Sequence, residues 1–473
     1  MAERLYLRIH PLGNSGATGA RHRLRLRLHP DWMTRDLLLV IAARTCMSAA
    51  RALAGIIVPI YLALIGFSGI ELGALFSAVA LTSALLSTCV GLLADRIGRK
   101  PFLILLPLCA AVAALVFASS HVVALLFIFA ALGSFGRGAG AGAGAVGPYQ
   151  PAEQALLADA VPARHRNALF GRVAFASSLG ALIGGPLAAL PTLLPRYGLH
   201  GLNAYRPTFL LMAALAAAAA LLVIPIVETR MPPAPAPPVA PRPASNGAAP
   251  PRRHLPRLNL SRQTWPTLLR LWTTNSVNGL AVGFFGPFIT YWFYRRYGAS
   301  PAAIGLLYTA INLAAMVSNL GAARIAARLG LVRAIVWSRA LQALLMIPMV
   351  LAPTFWLAGA FYLLRMLAQR VGMPLRQSYV MGVVPPDERG RIAALSNLPA
   401  QATSAASPTL AGYLFDHVSL ALPFEIGATL QGVNTLLFAL FFRRLRPPEE
   451  HEEHEEPPVP AAPESPAEAD PVP

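Results

Sequence analysis

Apolar residues run along this chain in long blocks separated by short polar clusters. Twelve blocks stand out, at 38–64, 70–93, 101–119, 122–146, 170–194, 207–228, 267–294, 302–325, 333–353, 356–382, 392–415 and 421–442. Each approaches or exceeds the roughly 20 residues that a helix needs to cross the hydrocarbon of a bilayer. The pattern predicts an all-α membrane protein with twelve transmembrane helices. Alanine and glycine are dense in the blocks, as close helix packing in lipid requires. The extreme case is GRGAGAGAGAVG at 136–147.

Composition supports the pattern. The chain has 473 residues, of which 55% are hydrophobic and 13% charged. A soluble domain is about 25% charged, so an ordinary soluble enzyme and a disordered protein are both excluded. The net charge is +18, supplied almost wholly by arginine, since Lys100 is the only lysine. A nucleic-acid partner would need that charge on one solvated face. Here it recurs in clusters between apolar blocks, the arrangement that fixes orientation in a membrane. Arg96, Arg99 and Lys100, then Arg164 and Arg166, Arg324 and Arg328, Arg389 and Arg391, and finally Arg443, Arg444 and Arg446 all fall on one side if the N-terminus is inside. Both termini are therefore expected in the cytoplasm, the chain spanning the inner membrane as a monomer whose partners are lipid and a small-molecule substrate.

Five segments follow. Residues 1–36 read as a basic cytoplasmic arm without a cleavable signal, and 37–228 as the first six-helix half. The stretch 229–262 is a proline-rich basic linker. The second half spans 263–446, and 447–473 is an acidic, disordered tail. His451 and His454 in that tail read as solvated rather than metal-binding. Cys46, Cys89 and Cys109 lie inside apolar blocks, so packing is expected, with no disulfide framework. No cofactor, metal or enzyme constellation is expected.

The two halves repeat each other at fixed offsets. Gly66, Ser68, Gly73 and Gly98 match Gly298, Ser300, Gly305 and Gly330, each 232 residues on. Pro151, Gln154, Val161, Pro162 and Arg166 match Pro374, Gln377, Val384, Pro385 and Arg389, each 223 residues on. Two pseudo-symmetric halves predict a solute site near the membrane midplane between them.

Between the second and third blocks stands GLLADRIGRKPFLI, 91–104. Gly91, Leu93, Ala94, Asp95, Arg96, Gly98, Arg99 and Lys100 fit the signature cytoplasmic loop of the major facilitator superfamily, which this chain resembles over roughly 38–442. Gly91 would permit close helix contact and Gly98 a tight turn. The resemblance implies a gating motif of Gly91, Asp95, Arg96, Gly98 and Arg99, with Asp95 on a helix N-terminus across the domain interface. The second-half copy, AARIAARLGLVR at 322–333, has Ala327 where the acid would stand.

Ionisable residues inside apolar helices are costly and point to function. Arg44 and Arg51 share a face of the first block, Arg137 lies in the fourth, and Arg365 in the tenth with Gln369 one turn on and Arg370 beyond. The resemblance implies that the first, fourth, seventh and tenth helices line the cavity. The seventh contributes Asn275, Asn278 and Tyr291. Arg51 and Arg365 are expected to converge near mid-membrane. Arg44, Arg137 and Arg370 either join them or brace helices, for instance by pairing with Asp159. The acids Asp36, Glu71, Asp95, Glu153, Asp159, Glu228, Asp416 and Glu425 are expected at helix ends or in loops. Arginine without carboxylate suits an anionic solute gripped in bidentate fashion. The expected function is a secondary active transporter of a small organic anion working by alternating access, with a coupling proton or counter-anion. The alternative is a proton-coupled efflux antiporter for drugs or metabolites.

Overall fold

The computed structural model describes residues 32–135, 147–227, 264–318, 330–383 and 389–442. The first half comprises α1 (Arg35–Leu64), α2 (Gly69–Ile97), α3 (Lys100–Ser119), α4 (Val123–Gly133), α5 (Gln150–Asp159), α6 (Ala163–Leu187), the single turn α7 (Leu190–Leu193) and α8 (Arg206–Val223). The second comprises α9 (Trp265–Phe285), α10 (Ile289–Tyr297), α11 (Pro301–Ser318), α12 (Leu331–Leu351), α13 (Phe355–Val383), α14 (Arg389–His417) and α15 (Leu422–Phe442). Most described residues of each predicted block are helical. Among the described residues, seven helical segments, including Arg35–Leu64, Lys100–Ser119 and Leu422–Phe442, are long and apolar enough to cross a membrane. Three other blocks are interrupted or polar. Block four breaks at Ser134, whose φ of 54° is left-handed. Block seven divides around Gly286 and Pro287, between α9 and α10. Block ten carries Arg365, Gln369, Arg370 and Arg376.

Local sequence sets the helix ends. Thr34 caps α1 by accepting the Leu37 N–H at 3.3 Å. Ser68 and Glu71 form a reciprocal capping box at the start of α2, satisfying two otherwise orphaned donors. The repeat is visible in these details. Gly66 and its counterpart Gly298 have φ of 96° and 62°, and Gly98 and Gly330 have φ of 110° and 77°. Positive φ is strained for residues with a Cβ, so the sequence matches mark the same turns in both halves. Ser300, the counterpart of Ser68, likewise accepts an N–H, from Ala303 at 3.2 Å.

Within the first half, α1 packs on α6 and α8, and α3 on α4 and α8; within the second, α9 packs on α14 and α15, and α12 on α13 and α15. Leucines such as Leu85, Leu105, Leu344 and Leu351 are exposed on the outside of the bundle. In an aqueous protein that would be an aggregation hazard, whereas here it is the lipid face. The halves meet along two pseudo-equivalent pairs, α2 on α14 and α6 on α11. A Cβ added at Gly73 would collide with the carbonyl of Pro408, and one added at Gly305 with the carbonyl of Gly185. The two repeat offsets carry Gly73 onto Gly305 and Gly185 onto Pro408, so these are one contact made twice. At the same end of the molecule the Asp416 carboxylate accepts the N–H groups of Gly69 at 2.8 Å and Ile70 at 2.9 Å. This acid is Asp416, not the Asp95 of the gating motif, and the dipole of α2 favours its charge.

Candidate functional site

Two groups of inward arginines occupy the two halves, and they differ in kind. In the first half, Arg44 of α1 donates through Nε to Ser177 Oγ of α6 at 2.7 Å and through a terminal nitrogen to Glu153 of α5. Both partners of this ion pair are buried, at 8% and 3% exposure. Arg51, about two turns further along α1, lies against Gly147 and beside the Tyr149 ring, 6.0 Å from its centroid. Glu153 was expected at a helix end outside the interior. It is indeed in the first turn of α5, but that turn is folded against α1, and its carboxylate compensates Arg44. The bracing partner is thus Glu153; Asp159 instead accepts from Arg99 at 2.6 Å near the surface.

In the second half, Asn278 and Val282 of α9, Arg339 and Gln342 of α12, Arg365, Gln369, Gly372, Met373 and Arg376 of α13, and Gln431 of α15 line one cavity of about 110 Å³. The polar residues recur at helical spacing, 365, 369 and 376 on α13 and 339 and 342 on α12, so each helix turns one polar stripe inward. Arg339 and Arg365 are 6% and 2% exposed, and Arg376 is half-buried. Arg365 stacks on Phe285, its guanidinium carbon 4.2 Å from the ring centroid, and Arg339 stacks on Phe438 at 4.8 Å. Stacking holds the planar groups by cation–π attraction and leaves their hydrogen-bonding edges available. Arg376 donates to Asn275 Oδ1 at 2.7 Å, and Asn275 donates to the Ser396 carbonyl at 2.6 Å. An N–H of Arg339, Nε of Arg365 and the side-chain oxygens of Gln431 and Asn434 are buried without a hydrogen-bond partner. Among the described residues lining the cavity none is acidic. Buried cations without compensating charge cost several kcal/mol each.

The expected site residues therefore separate. Arg365, Gln369 and Asn278 share the cavity, and Asn275 orients Arg376 at its edge. Of Arg51 and Arg365, only Arg365 is among the described residues lining this cavity. Arg51 is held in the first half, whereas Arg365 turns toward α9, α12 and α15 of its own half. Tyr291 is packed away in an aromatic cluster with Phe288 and Phe415. Arg370 is half-buried and not among the cavity's lining residues, and Arg137 lies outside the described residues. Arg339, Gln342, Arg376 and Gln431 were missed. The rule that singled out Arg365, a charge inside an apolar block, applies equally to Arg339 and Arg376. Restricting attention to helices one, four, seven and ten hid Arg339, Gln342 and Gln431, whereas Arg376 stands on the tenth helix itself, beyond Arg370.

Of the gating loop, Gly98 ends α2 with positive φ, and Arg96 is exposed. Arg99 is engaged by Asp159. Among the described residues, a Cβ added at Gly91 would meet only Pro151, at an ordinary 3.9 Å. Asp95 stands in the last turn of α2, and its side chain lies outside the described residues.

No curated protein sequence matches the chain. Among solved structures, a peptide transporter of the POT family has a TM-score of 0.65 at 14% identity, covering 87% of this chain and 98% of that one. A bacterial homolog of the human lysosomal transporter Spinster, inward-facing and unoccupied, has a TM-score of 0.60 at 14% identity, covering 87% and 96%. A human organic anion transporter has a TM-score of 0.54 at 18% identity, covering 87% and 100%. At such identities the likeness is one of fold. The model of the Major Facilitator Superfamily matches twice, at 40–274 and 271–471. Matched across both halves, the chain belongs to this superfamily of transporters and is a multi-pass membrane protein.

Proposed function

We propose that the protein is a secondary active transporter of a small organic anion in the cytoplasmic membrane, working by rocker-switch alternating access with both termini inside. The observation that carries the substrate reading is the cavity faced by Arg339, Arg365 and Arg376 with no carboxylate among its described lining residues. The topology rests on loop charge. With that topology, the contacts at Gly73–Pro408, Gly185–Gly305 and Asp416 close the external side, and the 91–104 loop latches the cytoplasmic side in the opposite state. The linker and tail join and flank the two halves without taking part in turnover.

The test is uptake into liposomes holding the purified protein, using labelled organic anions and lipophilic cations with and without a pH gradient. Anion uptake that falls with Arg365→Ala supports the reading. Cation uptake indifferent to that substitution overturns it and favours efflux of cationic drugs. A proton-coupled mechanism has one specific observation in its favour, the buried Glu153 carboxylate beside Arg44, and dependence of uptake on the imposed pH gradient would reveal it.

A further inference from the structure

We infer that the ligand of the second-half cavity carries two negative charges on oxygen within one compact molecule. The inference rests on the anion reading above and narrows it. Three guanidinium groups from two helices, α12 and α13, face a single small space. None of the described residues lining that space offers a carboxylate. The rings of Phe285 and Phe438 cover faces of Arg365 and Arg339, so the unspent donors are edges of those groups. They include an N–H of Arg339 and Nε of Arg365, both buried and without partners. Arg376 already gives one N–H to Asn275.

A single carboxylate accepts one or two guanidinium forks. It would leave the third cation, and a net charge of two, in a site where Arg339 and Arg365 are buried. A dianion answers more of the charge and of the unfilled donors at once. The amides of Gln342, Gln369, Gln431 and Asn278 around the arginines are neutral, so they can seat polar groups of the ligand without repelling it. A dicarboxylate and a phosphate monoester share this chemistry, because each presents two oxyanion charges within a few bonds.

Binding to the full-length protein in detergent separates the possibilities with matched probes. Succinate is compared with succinamate, its near-isosteric monoanion, and methyl phosphate with dimethyl phosphate above pH 7. At least one dianion should bind about tenfold or more tightly than its matched monoanion, the difference expected when a buried charge partner is removed. Arg339→Gln should weaken that dianion by about tenfold while moving the monoanion far less, so the preference collapses. Arg339→Lys keeps the charge and should keep much of the preference, and thermal unfolding of each variant checks that it is folded.

If each monoanion equals its dianion while both are lost in Arg365→Ala, the dianion inference falls and the anion reading stands. If no anion binds and tetraphenylphosphonium does, both fall. The tighter of succinate and methyl phosphate identifies which oxyanion the site is built for.

Discussion

The two halves solve the same physical problem in opposite ways. Each carries arginines in a helix interior where a charge is expensive. The first half neutralises Arg44 with Glu153 and ties it down through Ser177. The second half stacks Arg339 and Arg365 on aromatic rings and leaves parts of their donor edges unfilled. A pair that is already satisfied braces the fold, whereas unsatisfied donors around a cavity store a preference for an incoming partner. Both groups look alike in sequence, as arginine inside an apolar block. Only the presence or absence of a carboxylate neighbour distinguishes a strut from a binding site.

The largest expected effect tests the strut. Glu153→Gln leaves Arg44 buried beside a neutral amide, and breaking a buried ion pair in this way costs about 3–5 kcal/mol. Thermal unfolding of the purified protein should show a large drop, and Arg44→Leu combined with Glu153→Leu should recover most of it. A single-mutant unfolding temperature equal to the wild type would erase the contrast between the halves.

The counterpart in the second half should behave with the opposite sign. Arg365→Leu removes a buried cation that has no carboxylate to strand. Stability without ligand should hold or rise, while anion affinity falls by about 2–5 kcal/mol. Parallel unfolding and binding measurements on one preparation check both parts. A variant that unfolds while still binding anion would make Arg365 a strut as well.

A smaller effect is expected at the contact between the halves. Asp416→Asn removes the charge from the N-terminus of α2, an interaction of about 0.3–1 kcal/mol. The population closed at that end should fall several-fold at most. Accessibility labelling of a cysteine placed near Ser77, which pairs with Thr409 across the interface, would report it. Unchanged labelling would show that the glycine contacts at Gly73 and Gly305 suffice for closure.

The smallest effect is expected outside the helices. Deleting 449–473, or replacing 232–256 by a flexible segment of similar length, should leave turnover unchanged. These stretches lack the apolar content to offset the entropy of ordering. Loss of transport by a correctly inserted deletion would assign them a docking or regulatory role.

Much of the fold was legible because bilayer thickness sets block length and because turns constrain residue type. Gly66, Gly98, Gly298 and Gly330 matched in sequence since only glycine enters those turns without strain. The gating loop was legible as a motif, and Gly98 within it ends α2 at positive φ. The site was half legible. Arg365, Gln369 and Asn278, singled out in the sequence, line the described cavity, while Arg339 and Gln431 were passed over because they lie outside the four helices expected to face it, and Arg376 was passed over although it shares the helix of Arg365.

The sequence by itself determined the membrane-spanning helical class, the twofold repeat and the turns, because these follow from local composition and backbone sterics. Tertiary structure alone decided which charges are partnered. Glu153 is 109 positions from Arg44, and Asp416 is 347 from Gly69. Whether two groups so distant in sequence meet depends on how the helices pack, and in a low-dielectric interior that meeting is what turns an arginine into a brace or into a receptor for an anion.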